Sequence, residues 1–90
     1  MARRLVGKHK YRDFTRALLS LGFEYEPDSA FMRLVHEPTG TVIMLRKGEP
    51  DEIVWEPNVI SARFHIDFNG IATAEEFDRL LANPTLAKAS

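Results

Sequence analysis

The sequence contains no cysteine, so it can form neither a disulfide framework nor a zinc–thiolate site. It also lacks any apolar run near the roughly 18 residues that a membrane-spanning helix needs. The basic N-terminus, MARRLVGKHKYR, has no apolar segment of the kind that a signal peptide requires. These absences predict a cytoplasmic protein with no membrane partner.

The chain also has no large excess of positive or negative charge. The chain has 12 Lys and Arg residues against 13 Asp and Glu residues, which gives a formal net charge of −1. Any binding of nucleic acid would therefore have to use a local basic patch. With 90 residues, 44% of them hydrophobic, the composition is typical of one small globular domain. We predict a domain over residues 9–82, between a flexible basic arm (residues 1–8) and a loose tail (residues 83–90).

The centre of the chain has the pattern of a β-hairpin. Two apolar-rich runs, residues 30–35 and 41–45, flank a short polar link that ends in Gly40. Valine, isoleucine and phenylalanine suit a pleated strand, and a glycine takes a positive φ at little cost. Both strands carry apolar side chains on both faces. One face is expected to pack on helices, while the other is partly covered or forms an interaction surface.

The segment before the hairpin predicts a helix followed by a short strand. Apolar residues at three- and four-residue spacings predict a helix over residues 9–21, ended by Gly22, and residues 23–26 alternate as a strand does. Three cations repeat every four residues on another face of this helix: Lys8, Arg12 and Arg16. They form either a solvated face or a stripe that faces phosphates.

Two readings are open for the acidic connector, residues 49–57, and for the segment after it. Ile53 to Trp55 could form an edge strand or a loop, and Trp55 is expected to anchor the core. Residues 59–68 alternate as a strand would, yet their apolar residues also form a helical stripe. Thr73 and Glu76 have the spacing of a capping box, and no second strand follows, so we predict helices over residues 57–69 and 73–82.

The predicted element order is α-β-β-β-α with a short extra C-terminal helix. Such an α+β domain places a three-stranded antiparallel sheet against helices on one face.

Several short segments resemble one known family, the HicA (YcfA-like) toxins. The matching segments are Leu21-Gly22-Phe23, the strand and turn from Arg33 through His36-Glu37-Pro38-Thr39-Gly40, the strand over residues 42–45, and residues 59–71. Together with the element order, they cover most of residues 11–82. The resemblance implies a fold similar to the double-stranded-RNA-binding domain, cleavage of messenger RNA, and a HicB-like antitoxin as partner.

The chain departs from this family at the catalytic histidine, which follows Gly-Ser at the start of the second strand. The matching position is Phe31, or Ala30 if a one-residue bulge places Ser29 on the family serine; Asp28 replaces the glycine. Neither alanine nor phenylalanine can act as a general base. The resemblance therefore supports the fold but not the ribonuclease activity.

The remaining candidate for a general base is His36, whose imidazole can titrate near neutral pH. Arg33 and Lys47 are expected near it across the end of the sheet, although a lone turn histidine is more often structural. The predicted RNA-binding residues are Lys8, Arg12, Arg16, Arg33, Arg46 and Lys47. No metal site and no cofactor are predicted, because neither ligand spacing nor a nucleotide-binding motif is present.

Phe64 and Phe68 form a second apolar stripe if residues 57–69 are helical. Because a small core needs only one stripe per helix, the surplus predicts contact with another chain, either a HicB-like antitoxin or a second copy. Two functions follow: a HicA-like toxin–antitoxin protein that binds RNA and a protein partner, or a non-catalytic protein-interaction module. Only the first should bind with a steep dependence on salt.

Overall fold

The computed structural model describes residues 8–28 and 30–82. Its elements are α1 (Tyr11–Ser20), β1 (Glu24–Glu26), β2 (Phe31–His36), β3 (Thr41–Arg46), α2 (Glu56–Phe68) and α3 (Ala74–Ala82). This order confirms the predicted α+β class. Apart from Lys8, the predicted N-terminal arm lies outside the described residues, as do Ser29 and the predicted tail.

The three strands form one antiparallel sheet in the order β1-β2-β3. Leu34 of β2 lies opposite Ile43 of β3, and the two side chains face the core together with Leu45. The intervening residues of β3, Val42 and Met44, are exposed on the opposite face. The predicted hairpin is confirmed, and its second face stays open.

The helices close the core on one side of the sheet. Phe14 of α1 and Phe77 of α3 meet edge to face, with ring centroids 6.2 Å apart, and both side chains are fully buried. The buried core consists of Tyr11, Phe14, Ala17, Leu18, Phe23, Leu34, Ile43, Leu45, Val54, Val59, Ala62, Ile66, Phe77 and Leu81. None of the helices in the described ranges combines the length and the apolarity needed to cross a lipid bilayer.

The segment with two readings is helical, and its end shows why. Gly70 has φ +73°, and the Ile71 N–H donates to the Ile66 carbonyl at 2.9 Å, which closes α2 with a Schellman motif. Thr73 and Glu76 then form a reciprocal capping box, with N–H to side-chain oxygen distances of 2.8 and 3.0 Å. These two end signals favour helix over the alternating strand pattern.

Trp55 does not anchor the core, so that prediction is wrong. Its side chain is 70% exposed, whereas Val54 is buried. Trp55 is the N-cap of α2 with an extended backbone (φ −59°, ψ 127°), and consecutive side chains of an extended chain point to opposite sides. Because Val54 faces the core and its N–H donates to the His9 carbonyl at 2.8 Å, Trp55 must face outward.

The connector between β3 and α2 packs tightly against the start of α1. The Tyr11 N–H donates to the Glu52 carbonyl at 2.8 Å, and the Tyr11 hydroxyl donates to the Arg46 carbonyl at 3.0 Å. A Cβ atom on Gly48 would lie 2.7 Å from the Tyr11 ring, closer than side chains tolerate. A side chain at position 48 would force the Tyr11 ring or the Glu52 carboxylate to move, so glycine favours this close approach although its φ is not positive.

Candidate binding surfaces

Three of the six cations predicted to bind RNA are held in ion pairs. Arg33 contacts Glu26 of β1 at 2.7 Å on the outer face of the sheet. Arg12 contacts Asp51 at 2.8 Å, and Arg46 pairs with Glu52. Since each guanidinium already has a carboxylate partner, the structure does not combine the six cations into one free basic patch.

The acidic connector supplies two of these carboxylates. Its Asp51 also lies 3.9 Å from the Lys10 ammonium group, and Glu52 accepts a hydrogen bond from the Glu49 N–H at 3.2 Å. The bonded Arg46 guanidinium holds the pKa of the Glu52 carboxyl below its ordinary value, and Glu52 in turn raises the pKa of Arg46. Charges of opposite sign therefore neutralise each other along this edge.

The other three predicted cations are Lys8, Arg16 and Lys47. Among residues 8–28 and 30–82, the structure assigns them no ion pair. Lys8 precedes α1, Arg16 lies within α1, and Lys47 follows β3, so they belong to three separate segments.

His36, the candidate general base, is half-buried and packs against a core residue. Its ring lies against Phe23, with centroids 5.2 Å apart, and beside the backbone of Gly22. Its expected neighbours are elsewhere. Lys47 follows β3 at the far end of the hairpin, since His36 pairs with the first residue of that strand, and Arg33 lies on the opposite face of the sheet.

The histidine belongs to a hydrogen-bonded chain that sequence reasoning missed. His36 Nδ1 lies 2.8 Å from the Thr39 hydroxyl oxygen, which lies 2.7 Å from that of Thr41. The Asn69 side-chain amide, just after α2, donates to the Thr41 hydroxyl at 2.8 Å. This chain ties the β2–β3 turn to the end of α2. The sequence does not predict this pairing, because Asn69 and Thr41 lie 28 positions apart and no short motif joins them.

The two faces of α2 differ in the way the sequence predicted. Its inner stripe is buried (Val59, Ala62 and Ile66), and its outer stripe is exposed (Ile60, Phe64 and Phe68). Phe64 and Phe68 are 59% and 75% exposed, and their rings stack with centroids 5.6 Å apart and an interplanar angle of 13°. The predicted partner-binding pair is thus an accessible aromatic platform.

This platform forms one wall of a groove between α2 and α3, which we name the α2–α3 groove. The groove has a volume of about 380 Å³ and is lined by Ile60, Arg63, Phe64, Asp67, Phe68 and Ala74. Arg63 makes two hydrogen bonds with the Asp78 carboxylate, at 2.8 and 2.9 Å. Asp78 raises the pKa of the Arg63 guanidinium most, and Glu75 and Asp67 add to the effect. One cation therefore lies among three carboxylates.

A second groove, of about 580 Å³, runs beside β3 on the connector side, and we name it the Trp55 groove. Its lining residues are Tyr11, Phe31, Met44, Leu45, Arg46, Ile53, Trp55 and Asn58. Sequence reasoning missed this surface because it assigned Trp55 to the core. Within the described ranges, no three His, Cys, Asp or Glu side chains are arranged so that they could hold a metal ion.

Comparison with known proteins gives no match to a family model, to a curated protein or to a solved structure. The resemblance to the HicA toxins stays a prediction.

Proposed function

We propose that this chain is a non-catalytic protein-binding module that docks a partner protein on the outer face of α2. The observation that carries the proposal is the exposed, stacked pair Phe64 and Phe68 on a helix whose other face already fills the core.

The hydrophobic stabilisation that the exposed stripe leaves unused supports the proposal. Full burial of a phenylalanine side chain stabilises a protein by about 1.5–3 kcal/mol, so two largely exposed rings leave a substantial driving force unused. Single exposed apolar residues are ordinary, but Ile60, Phe64 and Phe68 form a contiguous row on one helix face. A contiguous row of this kind is what a partner can cover.

The surroundings of His36 favour a structural role over catalysis. Its Nδ1 is engaged by the Thr39 hydroxyl, and its ring packs on Phe23. The polar contact described for its ring is the Thr39 hydroxyl, and the two cations expected to assist proton transfer, Arg33 and Lys47, lie elsewhere. For this reason we propose an interaction module and not a ribonuclease.

The test starts from a photo-cross-linking amino acid at position 60, used in cells to identify the partner. The partner is then purified, and its affinity is measured for the wild-type chain and for Phe64→Ser/Phe68→Ser. We expect the double variant to bind about tenfold to a hundredfold more weakly, as loss of central aromatic contacts does.

Leu19→Ser is the matched control, since Leu19 is an exposed apolar residue on α1, away from the stripe. It should bind as the wild type does. Unchanged affinity of Phe64→Ser/Phe68→Ser for the cross-linked partner would refute the proposal.

A second candidate function is a HicA-like toxin–antitoxin protein that binds RNA, with a cytoplasmic location. Lys8, Arg16 and Lys47 favour it, because no ion pair neutralises them within the described part of the chain. RNA affinity that falls steeply with salt, and falls again in Lys8→Gln/Arg16→Gln/Lys47→Gln, would support this function. Expression of the chain alone in bacteria tests toxicity, since a ribonuclease should stop growth and fragment transcripts.

A further inference from the structure

We infer that the α2–α3 groove binds a cationic amphipathic helix of a partner protein, with its apolar side on Ile60, Phe64 and Phe68 and its Lys or Arg residues beside Asp67 and Glu75. The inference rests on the proposed function and adds the chemistry of the partner.

The shape of the groove suits a helix. Ile60, Phe64 and Phe68 are spaced four residues apart, so the row extends about 12 Å along α2. Ala74, the first residue of α3, contributes a small side chain to the lining. A row of this length matches two turns of an amphipathic helix, whose apolar residues recur at three- and four-residue spacings.

The charges beside the groove determine which charge the partner's side chains should carry. Asp78 is neutralised by its two hydrogen bonds with Arg63, which leaves Asp67 and Glu75 in excess. The four side chains together carry a net charge of −2, one guanidinium against three carboxylates. Arg79 follows Glu75 by one helical turn, but no ion pair joins them among the described contacts, and Arg79 lines a different groove with Leu21 and Leu80. A partner with Lys or Arg beside its apolar stripe complements this arrangement.

A second copy of the chain fits the same groove poorly. Pairing two copies through α2 would bring two acidic margins together, which costs free energy. The two phenylalanines, 59% and 75% exposed, offer roughly 200–350 Å² of apolar surface, so a standard dimer interface of about 800 Å² per partner would have to include the acidic residues around them. An apolar surface of this size is better matched by one docked helix in a weak, reversible complex.

The experiment uses two synthetic peptides of roughly 18 residues, a length at which isolated helices become stable enough to study. Both carry the same leucine stripe; one has Lys and the other Glu at the flanking positions. Fluorescence polarisation measures their binding to the purified chain at low and physiological salt. We expect the Lys peptide to bind about tenfold more tightly than the Glu peptide, and the difference to shrink with salt.

Two variants assign the binding to the groove. Asp67→Asn/Glu75→Gln should reduce the difference between the peptides to about twofold, while Phe64→Ser/Phe68→Ser should abolish binding of both. Asn at position 67 keeps an oxygen that can accept the Ala74 N–H, which Asp67 accepts at 3.1 Å. Glu24→Gln/Glu37→Gln is the control, since it removes two exposed carboxylates elsewhere.

Each outcome decides a different claim. If both peptides bind equally and Phe64→Ser/Phe68→Ser abolishes binding, the groove docks helices without charge selection, and the inference fails while the proposed function stands. If neither peptide binds, or if the Phe variant binds normally, the inference is also wrong, and the cross-linked partner decides the proposed function. A concentration-dependent dimer of the chain that Phe64→Ser/Phe68→Ser dissociates would show that a second copy occupies the groove.

Discussion

The Trp55 groove and the α2–α3 groove both combine aromatic side chains with an arginine, yet their charges differ. Beside the first, Arg46 and Arg12 each have a carboxylate of the connector, and backbone hydrogen bonds join that connector to α1. Beside the second, Arg63 has one bonded carboxylate and two more nearby. The first arrangement neutralises its own charges and holds the fold together. The second leaves acidic charge beside an aromatic platform, which is what a partner can use.

The largest expected change in stability distinguishes the buried face of α2 from its exposed face. Ile66→Ala should lower the free energy of unfolding by about 2–5 kcal/mol, because it leaves a cavity in the core. Phe68→Ala should change it by less than about 0.5 kcal/mol, since its ring is exposed. Urea denaturation followed by circular dichroism measures both. Equal losses would mean that Phe68 packs on the fold and is not available to a partner.

A smaller loss is expected where the connector meets α1. Gly48→Ala should destabilise the chain by about 1–3 kcal/mol, because the new methyl group must displace the Tyr11 ring. A double-mutant cycle with Tyr11→Leu checks the cause, since the substitution should cost less where the ring is absent. If Gly48→Ala costs the same in both backgrounds, the close approach to Tyr11 is not the reason for glycine.

Next comes the hydrogen-bonded chain at the β2–β3 turn. Asn69→Ala should cost about 1 kcal/mol, because the buried Thr41 hydroxyl loses the amide donor. In a Thr41→Val background the same substitution should cost less. Thermal unfolding of the four chains measures the coupling, and strictly additive losses would argue against the Asn69–Thr41 hydrogen bond.

The smallest effect concerns the ion pair of Arg46 and Glu52. Arg46 lowers the pKa of the Glu52 carboxyl, so the folded state binds its proton less readily than the unfolded state does. The stabilisation is therefore present above the ordinary pKa of 4.5 and is lost as the pH falls through the folded value. The wild type should lose slightly more stability between about pH 6 and pH 3 than Glu52→Gln does. If the stability of the two chains falls equally with pH, the Arg46–Glu52 ion pair does not stabilise the folded state.

Local signals predicted most of the fold. The end signals at Gly70 and the capping box of Thr73 and Glu76 act within a few residues, so they could be recognised before any tertiary contact was known. Trp55 shows the limit, because residue type alone cannot decide which of two adjacent apolar side chains faces the core. The outer stripe of α2 followed from periodicity once the segment was taken as a helix.

The charge arrangement of the surfaces could not be predicted in the same way. Arg12 and Asp51 are far apart in sequence and meet only because the connector returns to the start of α1. The carboxylates around Arg63 likewise come from two helices. Which cations are neutralised is therefore a property of the tertiary fold.

The most direct test of the protein-binding account is an NMR titration of the ¹⁵N-labelled chain with the Lys peptide, followed by amide chemical shifts. We predict that the largest shifts occur at Ile60, Phe64, Phe68 and Ala74, around the α2–α3 groove. Shifts concentrated instead at Phe31, Met44 and Trp55 would contradict the account, because they would place the partner on the surface that neutralises its own charges.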